Sequence, residues 1–244
     1  MQDADAGARL RAALQELEAL NQELADFSYC VSHDLRAPLR HIDGFARLLE
    51  KELGAPGGKA GHYLATIGAA ARRMDGLLED LLQFSRAARE PLALQRVEPG
   101  ALVQALIREA ASALGERRVE WSVGELPAVT ADPAQLRTVL QTLLSNALKF
   151  TRARELARIE VGARRLDDGR VELQVRDNGV GFDMAFAGKL FGAFQRLHRD
   201  EDYEGAGIGL AAARRIVHRH GQRILGEGAP GAGATFAFTM AAAD

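Results

Sequence analysis

The chain has 244 residues, 47% of them apolar, so its length lies at the boundary between one domain and two. Its 31 Lys and Arg nearly balance 33 Asp and Glu, and the net charge of -2 gives no field that would draw it to nucleic acid or an anionic membrane. The single cysteine, Cys30, excludes an intrachain disulfide, and no apolar run is long enough for a membrane span or a signal peptide. We expect a cytosolic protein or the cytosolic fragment of a larger sensor.

A heptad pattern of apolar residues opens the chain. It predicts a parallel coiled coil over residues 1–27 that continues into a helix ending near Leu53, kinked at Pro38. An amphipathic helix packed within one chain has the same spacing, but the narrow stripe favours dimerisation. The stripe consists of Leu10, Leu14, Leu17, Leu24, Val31 and Leu35, with Asn21 and Ser28 at two seam positions.

A second helix is predicted from about Lys59 to Arg89. Its apolar positions, among them Ile67, Ala71, Met74 and Leu78, repeat the spacing, so it can pack antiparallel on the first. Two such hairpins form a four-helix bundle, which makes 28–90 a dimerisation domain.

After Pro91 the pattern changes to interspersed helices and strands, over residues 91–244. Asp132 and Pro133 form a helix start, and Asp167-Asp168-Gly169 lies between two alternating stretches as a hairpin turn. The predicted class is α+β, with one sheet covered by helices on one face. Helices are predicted at 101–114, 132–151 and 208–220, and strands at 118–123, 158–164, 171–176, 222–225 and 235–240.

His33 is the first residue with a candidate chemical role. Since Val31 and Leu35 face the seam, His33 points outward, where an incoming group could reach its imidazole. Asp34 can accept the other ring proton and orient the ring. Taken alone, a solvated surface histidine explains the same residue.

Two glycine-rich segments follow. Asp177-Asn178-Gly179-Val180-Gly181 begins where a strand ends, so a carboxylate could accept a hydrogen bond from a ligand amine; a hairpin turn is the alternative. Gly205, Gly207 and Gly209 precede a helix, where free backbone N–H groups favour phosphate.

The helix that begins at Asp132 carries a polar flank. Helical spacing puts Thr142, Asn146, Lys149 and Phe150 on one side, with leucines opposite. This flank offers an amide oxygen for a hard cation, an ammonium for phosphate and a ring for stacking. A solvent face with polar residues of no function is the alternative.

In this order, the four segments resemble the histidine box, N box and two glycine boxes of sensor histidine kinases, and the stretch 190–198 resembles the phenylalanine box between the latter two. The resemblance covers about Leu14 to Met240. The stretches S-H-D-L-R-A-P-L-R (32–40) and F-Q-R-L-H (194–198) are similar to the phytochrome-like branch.

The resemblance implies that 28–90 is also a histidine phosphotransfer domain and that 91–244 is a Bergerat-type α/β sandwich that binds ATP. His33 would attack the γ-phosphate with Asp34 as base, and the phosphoryl group would pass to an aspartate of a response regulator. The implied nucleotide contacts are Asp177 for the adenine amine, Asn146 for Mg2+, Lys149 and Arg196 for phosphate, Phe150 beside the base, and Gly179, Gly181, Gly205, Gly207 and Gly209 for close backbone approach, with about 195–207 as a mobile lid.

Three residues depart from the family pattern. Thr142 replaces the usual first asparagine near magnesium, and Gln222 replaces a frequent glycine. Ala37 stands where many members carry the Thr or Asn associated with phosphatase activity, so we predict weak dephosphorylation of the regulator.

Two other functions fit parts of the sequence. The ATP-binding half also resembles gyrase, MutL and the ninety-kilodalton chaperone, which act as ATP-driven clamps, but these lack a hairpin with a residue like His33. A dimeric scaffold with a degenerate nucleotide site is supported only by Thr142.

Overall fold

The computed structural model describes residues 31–32, 34–54, 57–86, 91–112, 114–197, 203 and 207–243. The chain divides into two compact units, Met1–Arg89 and Glu90–Asp244. The predicted coiled coil over residues 1–27 lies outside the described residues. Within the described residues, no helix is both long and apolar enough to cross a membrane.

The described residues of the first unit form two helices. Helix α1 covers residues 34–52 and helix α2 is Gly58–Arg86. Leu39 on α1 forms a small buried cluster with Ala71 and Leu78 on α2. Arg72 of α2 also donates a hydrogen bond from Nη1 to Oδ1 of Asp43 on α1, at 2.6 Å.

A second apolar side of this hairpin stays exposed. We expected Ile67 and Met74 to pack on the first helix with their neighbours Ala71 and Leu78, yet each is nearly half exposed while Ala71 and Leu78 are buried. Heptad spacing from Leu35 continues through three more exposed apolar residues of α1, which are Ile42, Phe45 and Leu49.

The second unit contains a mixed sheet and three α-helices. A short 3-10 helix, Met184–Lys189, lies between the fifth strand and the last helix. The elements are β1 Gln95–Val97, α3 Pro99–Ala111, β2 Val119–Val123, β3 Val129–Ala131, α4 Pro133–Phe150, β4 Ala157–Arg165, β5 Arg170–Asp177, α5 Gly209–Arg219, β6 Ile224–Ala229 and β7 Gly233–Ala242.

Among the described residues the sheet has seven strands in the order β1-β3-β7-β5-β4-β2, with β6 also paired to β7. Only β2 and β4 run parallel, and the other neighbours are antiparallel. The register of β5 with β7 puts Asp177 opposite Ala234, at the end of both strands. This register brings the end of β5 to the turn between β6 and β7.

One face of the sheet is buried and the other is exposed. In β4, Ala157, Ile159 and Val161 are buried while Arg158 and Glu160 between them are exposed, and β5 alternates in the same way. The side chains that α4 buries include Leu136, Leu140 and Leu143. The helices therefore lie on one face, which confirms the predicted α+β sandwich.

Asp132 caps helix α4, as its position before Pro133 predicts. Its Oδ1 accepts hydrogen bonds from the N–H groups of Ala134 and Gln135, and Oδ2 accepts one from Ala93 at 3.0 Å. The Asp132 N–H donates to Nε2 of His220 at the end of α5, at 3.1 Å. The cap thus joins α5 and the segment before β1 to the start of α4.

The structure shows what the side chain of Gln222, which replaces a frequent glycine, does in this turn. Its Oε1 accepts a hydrogen bond from the Thr239 hydroxyl at 2.8 Å, so the side chain ties the turn after α5 to β7. Gly221 has a φ of +70°, and the turn therefore takes its glycine one residue earlier.

Candidate active site

The polar flank of α4 lies where the helical spacing predicts. Leu136, Leu140 and Leu143 on the opposite side are at most 1% exposed. The flank is half-buried and consists of Thr142, Asn146, Lys149 and Phe150. These side chains are therefore positioned by a helix whose other side is fixed in the core.

Asp177 is the last residue of β5 and is only 5% exposed. Its Oδ1 accepts a hydrogen bond from the Gly179 N–H at 2.7 Å, and the Ala234 N–H also donates to the carboxylate. Burial raises the pKa of Asp177 above its usual value, although both N–H groups lower it. A carboxylate kept in the core despite this cost is a candidate for recognising a hydrogen-bond donor.

The segment after Asp177 does not form a hairpin turn but packs against two other parts of the domain. Gly181 has a φ of +61°, and a Cβ there would lie 1.9 Å from the carbonyl oxygen of Ala229. A Cβ on Gly179 would lie 2.6 Å from the carbonyl oxygen of Phe150. The close backbone approach expected of these glycines is thus an approach to the β6–β7 turn and to the end of α4.

Two side chains that the motifs did not single out for a role tie these segments together. Arg154, just after α4, donates hydrogen bonds to the carbonyl oxygens of Asn178, Gly179 and Gly231. Asn178 accepts from the Arg158 N–H at 2.9 Å through Oδ1. These partners lie 20 to 77 positions apart in the chain, so no local pattern reveals them.

The beginning of α5 lies next to α4. Gly207 has a φ of +69°, and its carbonyl accepts a hydrogen bond from the Phe194 N–H at 3.1 Å. Gly209 is the first residue of α5, and a Cβ there would lie 3.2 Å from Cγ2 of Thr142. Thr142 therefore contacts this glycine segment through its methyl group. Gly205 lies outside the described residues.

Aromatic and cationic side chains meet at the end of α4. The Phe150 and Tyr203 ring centroids are 5.0 Å apart, and Nζ of Lys149 lies 4.4 Å from the Phe150 centroid. The Arg152 guanidinium lies 5.6 Å from the Tyr203 ring, and Arg196 donates a hydrogen bond to the Tyr203 carbonyl. Phe150 and Arg196 thus contact one residue, Tyr203, that the sequence did not single out, and Lys149 contacts the Phe150 ring.

In the helical unit, His33 lies outside the described residues. Asp34 and Ala37 are both exposed on α1. Two residues after Asp34, Nε of Arg36 lies 3.6 Å from Oδ1 of Asp75 on α2. Asp34 therefore has the solvent access that its predicted role requires.

The described residues contain no group of three or more His, Cys, Asp or Glu side chains placed to hold a metal ion. A metal carried by a ligand and contacted by one protein amide needs no such group. Asn146, half-buried on the polar flank of α4, has the amide that such a ligand-borne metal would need.

Two family models match the chain. The model "His Kinase A (phospho-acceptor) domain" matches residues 23–90. The model "Histidine kinase-, DNA gyrase B-, and HSP90-like ATPase" matches residues 131–244.

Curated relatives align over most of the chain. Cyanobacterial phytochrome A of Nostoc sp. (strain PCC 7120) is 35% identical over 92% of this chain and 29% of its own length. The methanogenesis regulatory histidine kinase FilI of Methanothrix harundinacea is 39% identical over 95% of this chain and 26% of its own. The chain thus spans less than a third of the length of these relatives.

Solved structures have the same fold. Full-length ShkA in complex with AMPPNP is 29% identical, with a TM-score of 0.67 over 89% of this chain and 46% of that one. The mycobacterial sensor histidine kinase MprB, at 21% identity and a TM-score of 0.52, covers 61% of this chain and 97% of that one, and this likeness shows the fold alone. With a phospho-acceptor domain followed by an ATPase domain, the chain belongs to the histidine kinases of two-component signalling, as a core whose similarity extends to the cyanobacterial phytochromes.

Proposed function

We propose that the chain binds ATP between the end of β5 and the polar flank of α4, and uses it to phosphorylate His33. The observation that carries this proposal is Asp177, a buried carboxylate at the end of β5 whose loop is bonded to the end of α4 by the Val180 N–H and the Phe150 carbonyl. The match to ShkA, whose structure holds AMPPNP, supports a nucleotide as the ligand.

The carboxylate of Asp177 would accept a hydrogen bond from the exocyclic amine of adenine. Burial raises the pKa of Asp177 from an ordinary value of 3.8, so a donor from the ligand offsets part of the cost of keeping this charge in the core. Guanine carries a carbonyl at the equivalent ring position, and two facing acceptors repel. The site should therefore prefer adenine nucleotides over guanine nucleotides.

The polar flank of α4 would hold the rest of the nucleotide. Phe150 would lie beside the base, and Lys149 with Arg196 would contact phosphate oxygens. Backbone N–H groups at the start of α5 would face the phosphates. They would belong to Gly207, Gly209 and Gly205, the last of which lies between the described stretches.

Asn146 would contact magnesium through its amide oxygen. The ion would supply positive charge at the phosphates when it is bound with the nucleotide. Thr142 presents its methyl group to Gly209, so we do not assign it a direct contact with the ion.

In the phospho-acceptor domain, His33 would be the nucleophile and Asp34 would orient its ring and accept its proton. The phosphohistidine would then pass its group to an aspartate of a response regulator's receiver domain. With Ala37 exposed four residues later, we expect weak dephosphorylation of that regulator. ATP as the substrate favours a cytosolic location for these two domains, with sensor input from elsewhere in a larger protein, as the short coverage of the relatives suggests.

The helical hairpin would form a homodimer. Its apolar residues Phe45 and Leu49 on α1, and Ile67 and Met74 on α2, remain exposed beside the buried cluster. A second hairpin packed on these residues would complete a four-helix bundle and bury them.

The reaction is tested by incubating the protein and Mg2+ with ATP labelled on either the α- or the γ-phosphate. Label from the γ-phosphate alone should appear on the protein, in a form that is labile in acid and stable in base. Asp177→Asn should abolish labelling, because an amide in that position presents a donor to adenine, whereas Asp183→Asn, at an exposed cap nearby, should label normally. Nucleotide binding with no label on wild-type protein would instead indicate a scaffold.

A further inference from the structure

We propose that Arg154 is a positioning residue of the nucleotide site, which fixes the loop beside Asp177 by clamping it to the β6–β7 turn. This inference rests on the proposed function of that site. Arg154 belongs to neither the helix nor the glycine segments that carry the predicted nucleotide contacts, because it lies in the connection between α4 and β4.

Three carbonyl oxygens converge on the Arg154 guanidinium. Nε donates to Asn178 at 2.7 Å, and Nη2 donates to Gly179 at 2.9 Å and to Gly231 at 2.6 Å. Carbonyl dipoles that meet at one point repel each other, and a cation between them offsets that repulsion. Arg154 therefore joins three segments: the end of α4, the loop after β5 and the β6–β7 turn.

The two clamped segments already lie in close contact. The Gly231 N–H donates to the Val180 carbonyl at 2.7 Å. Gly181 and Gly233 leave no room for side chains, since a Cβ on either would lie 1.9 Å from a carbonyl oxygen across the contact. The position of the loop is thus sensitive to any group that holds the turn against it.

Gly179 links this clamp to the proposed adenine contact. Its carbonyl accepts from Arg154, while its N–H donates to Oδ1 of Asp177. A shift of Gly179 would therefore move a hydrogen bond that orients the Asp177 carboxylate. Arg154 acts on nucleotide binding through this residue and does not itself touch the substrate.

Arginine suits this role better than lysine. A guanidinium has five N–H donors in a rigid plane and can serve three fixed acceptors at once, whereas an ammonium is a compact charge on a flexible stem. Arg154→Lys should keep the charge but restore only part of the clamp.

The test compares wild type with Arg154→Ala and Arg154→Lys. Arg164→Ala is the matched control, because Arg164 is also an exposed arginine of this domain but bonds to Glu172 in the β4–β5 hairpin. We expect Arg154→Ala to raise the dissociation constant of Mg-ADP and the KM for ATP about tenfold. We expect kcat to stay within about twofold, Lys to give an intermediate value and Arg164→Ala to bind as wild type does.

Hydrogen exchange of the nucleotide-free proteins provides a measurement that does not depend on the proposed function. The amides of Gly179, Val180 and Gly231 should exchange faster in Arg154→Ala, while those of the β4–β5 hairpin should not change. If wild type failed to bind nucleotide, the proposed function would be wrong, but the hydrogen-exchange measurement would still test the clamp.

Wild-type affinity together with unchanged exchange in Arg154→Ala would refute the clamp. Equal losses in Arg154→Ala and Arg164→Ala would refute it as well, because they would indicate a general effect of removing an arginine. If Arg154→Ala does not fold, the proposal is tested with Arg154→Lys alone. Wild-type nucleotide affinity and wild-type hydrogen exchange in that variant would contradict the proposal.

Discussion

At the scale of single residues, the glycines of the site serve the protein's own packing. Gly179 and Gly181 invite the interpretation that a ligand approaches the backbone, but the atoms that a Cβ would meet belong to Phe150 and Ala229. The adenine contact at Asp177 therefore depends on backbone segments fitted against each other without intervening side chains.

Gly181→Ala should destabilise the catalytic domain severely. The new methyl group would overlap the Ala229 carbonyl oxygen in addition to straining a φ of +61°. We expect the free energy of unfolding to fall by about 3 kcal/mol or more. Trp121, the single tryptophan, lies on β2, so its fluorescence during urea unfolding reports on this domain.

The control for this prediction is Gly231→Ala. Gly231 has a φ of +76°, but a Cβ there meets nothing within 4 Å. This variant should lose only about 1 kcal/mol, from backbone strain. If both variants lost the same free energy of unfolding, the overlap with the Ala229 carbonyl would not explain the loss in Gly181→Ala.

The candidate site residues could be placed on elements from the sequence, because each belongs to a motif on a recognisable helix or strand. Asp177 ends an alternating stretch, and Asn146 lies on the polar side of an amphipathic helix. Arg154 and Tyr203 gave no such signal, because their contacts join positions that only the folded sheet brings together.

At the scale of elements, α4 is the part of the domain on which the site depends most. It supplies the polar flank, its last carbonyl bonds to the loop after Asp177, and its first turn is capped by Asp132. Burial raises the pKa of Asp132, but bonds from Ala93, Gln135 and Ala134 and the proximity of His220 together leave that pKa below its ordinary value of 3.8. The ionised cap therefore stabilises the fold at neutral pH.

Asp132→Ala should lower the free energy of unfolding by about 1 to 2 kcal/mol at pH 7. Because the folded-state pKa is lowered, this contribution is complete above 3.8 and is lost as the pH falls through the folded value, so the two proteins should converge in acid. Urea unfolding followed by Trp121 fluorescence measures both. Asp183→Ala, which removes one exposed cap bond of the short 3-10 helix, should cost less than about 0.5 kcal/mol; a larger loss there than at Asp132 would contradict the account.

Long periodic elements were predictable to within a few residues, whereas β1 and β3 were not predicted. Each of these strands has three residues, too few to show an alternating pattern. Both depend on distant partners, since β1 pairs with β3 and β3 pairs with β7. Their existence is a property of the sheet and not of their own sequence.

At the scale of the whole molecule, the two units differ in how complete their cores are. The catalytic unit buries alternate residues along β4 and β5, whereas the described part of the hairpin buries a small cluster around Leu39 and leaves Phe45 65% exposed. The heptad pattern from which the sequence predicts dimerisation continues through the apolar side chains that remain exposed in the folded hairpin. A second hairpin packed on these exposed residues would complete the core of the proposed bundle.

Leu49→Glu should convert a dimer into a monomer, because a second hairpin packed on this residue would bury the new carboxylate among apolar side chains with no partner charge. Sedimentation equilibrium measures the mass directly. Leu225→Glu, at an exposed leucine of β6 in the catalytic domain, should leave the mass unchanged. A monomeric wild type, or a Leu49→Glu variant that remains dimeric, would be inconsistent with the proposed bundle.

The proposed reaction transfers the γ-phosphoryl group of ATP to His33. The most direct measurement is labelling by γ-labelled ATP and Mg2+ of wild type, His33→Gln and His41→Gln, the last being an exposed histidine of α1. We expect wild type and His41→Gln to be labelled equally and His33→Gln not to be labelled. Equal labelling of all three proteins would contradict the proposed reaction.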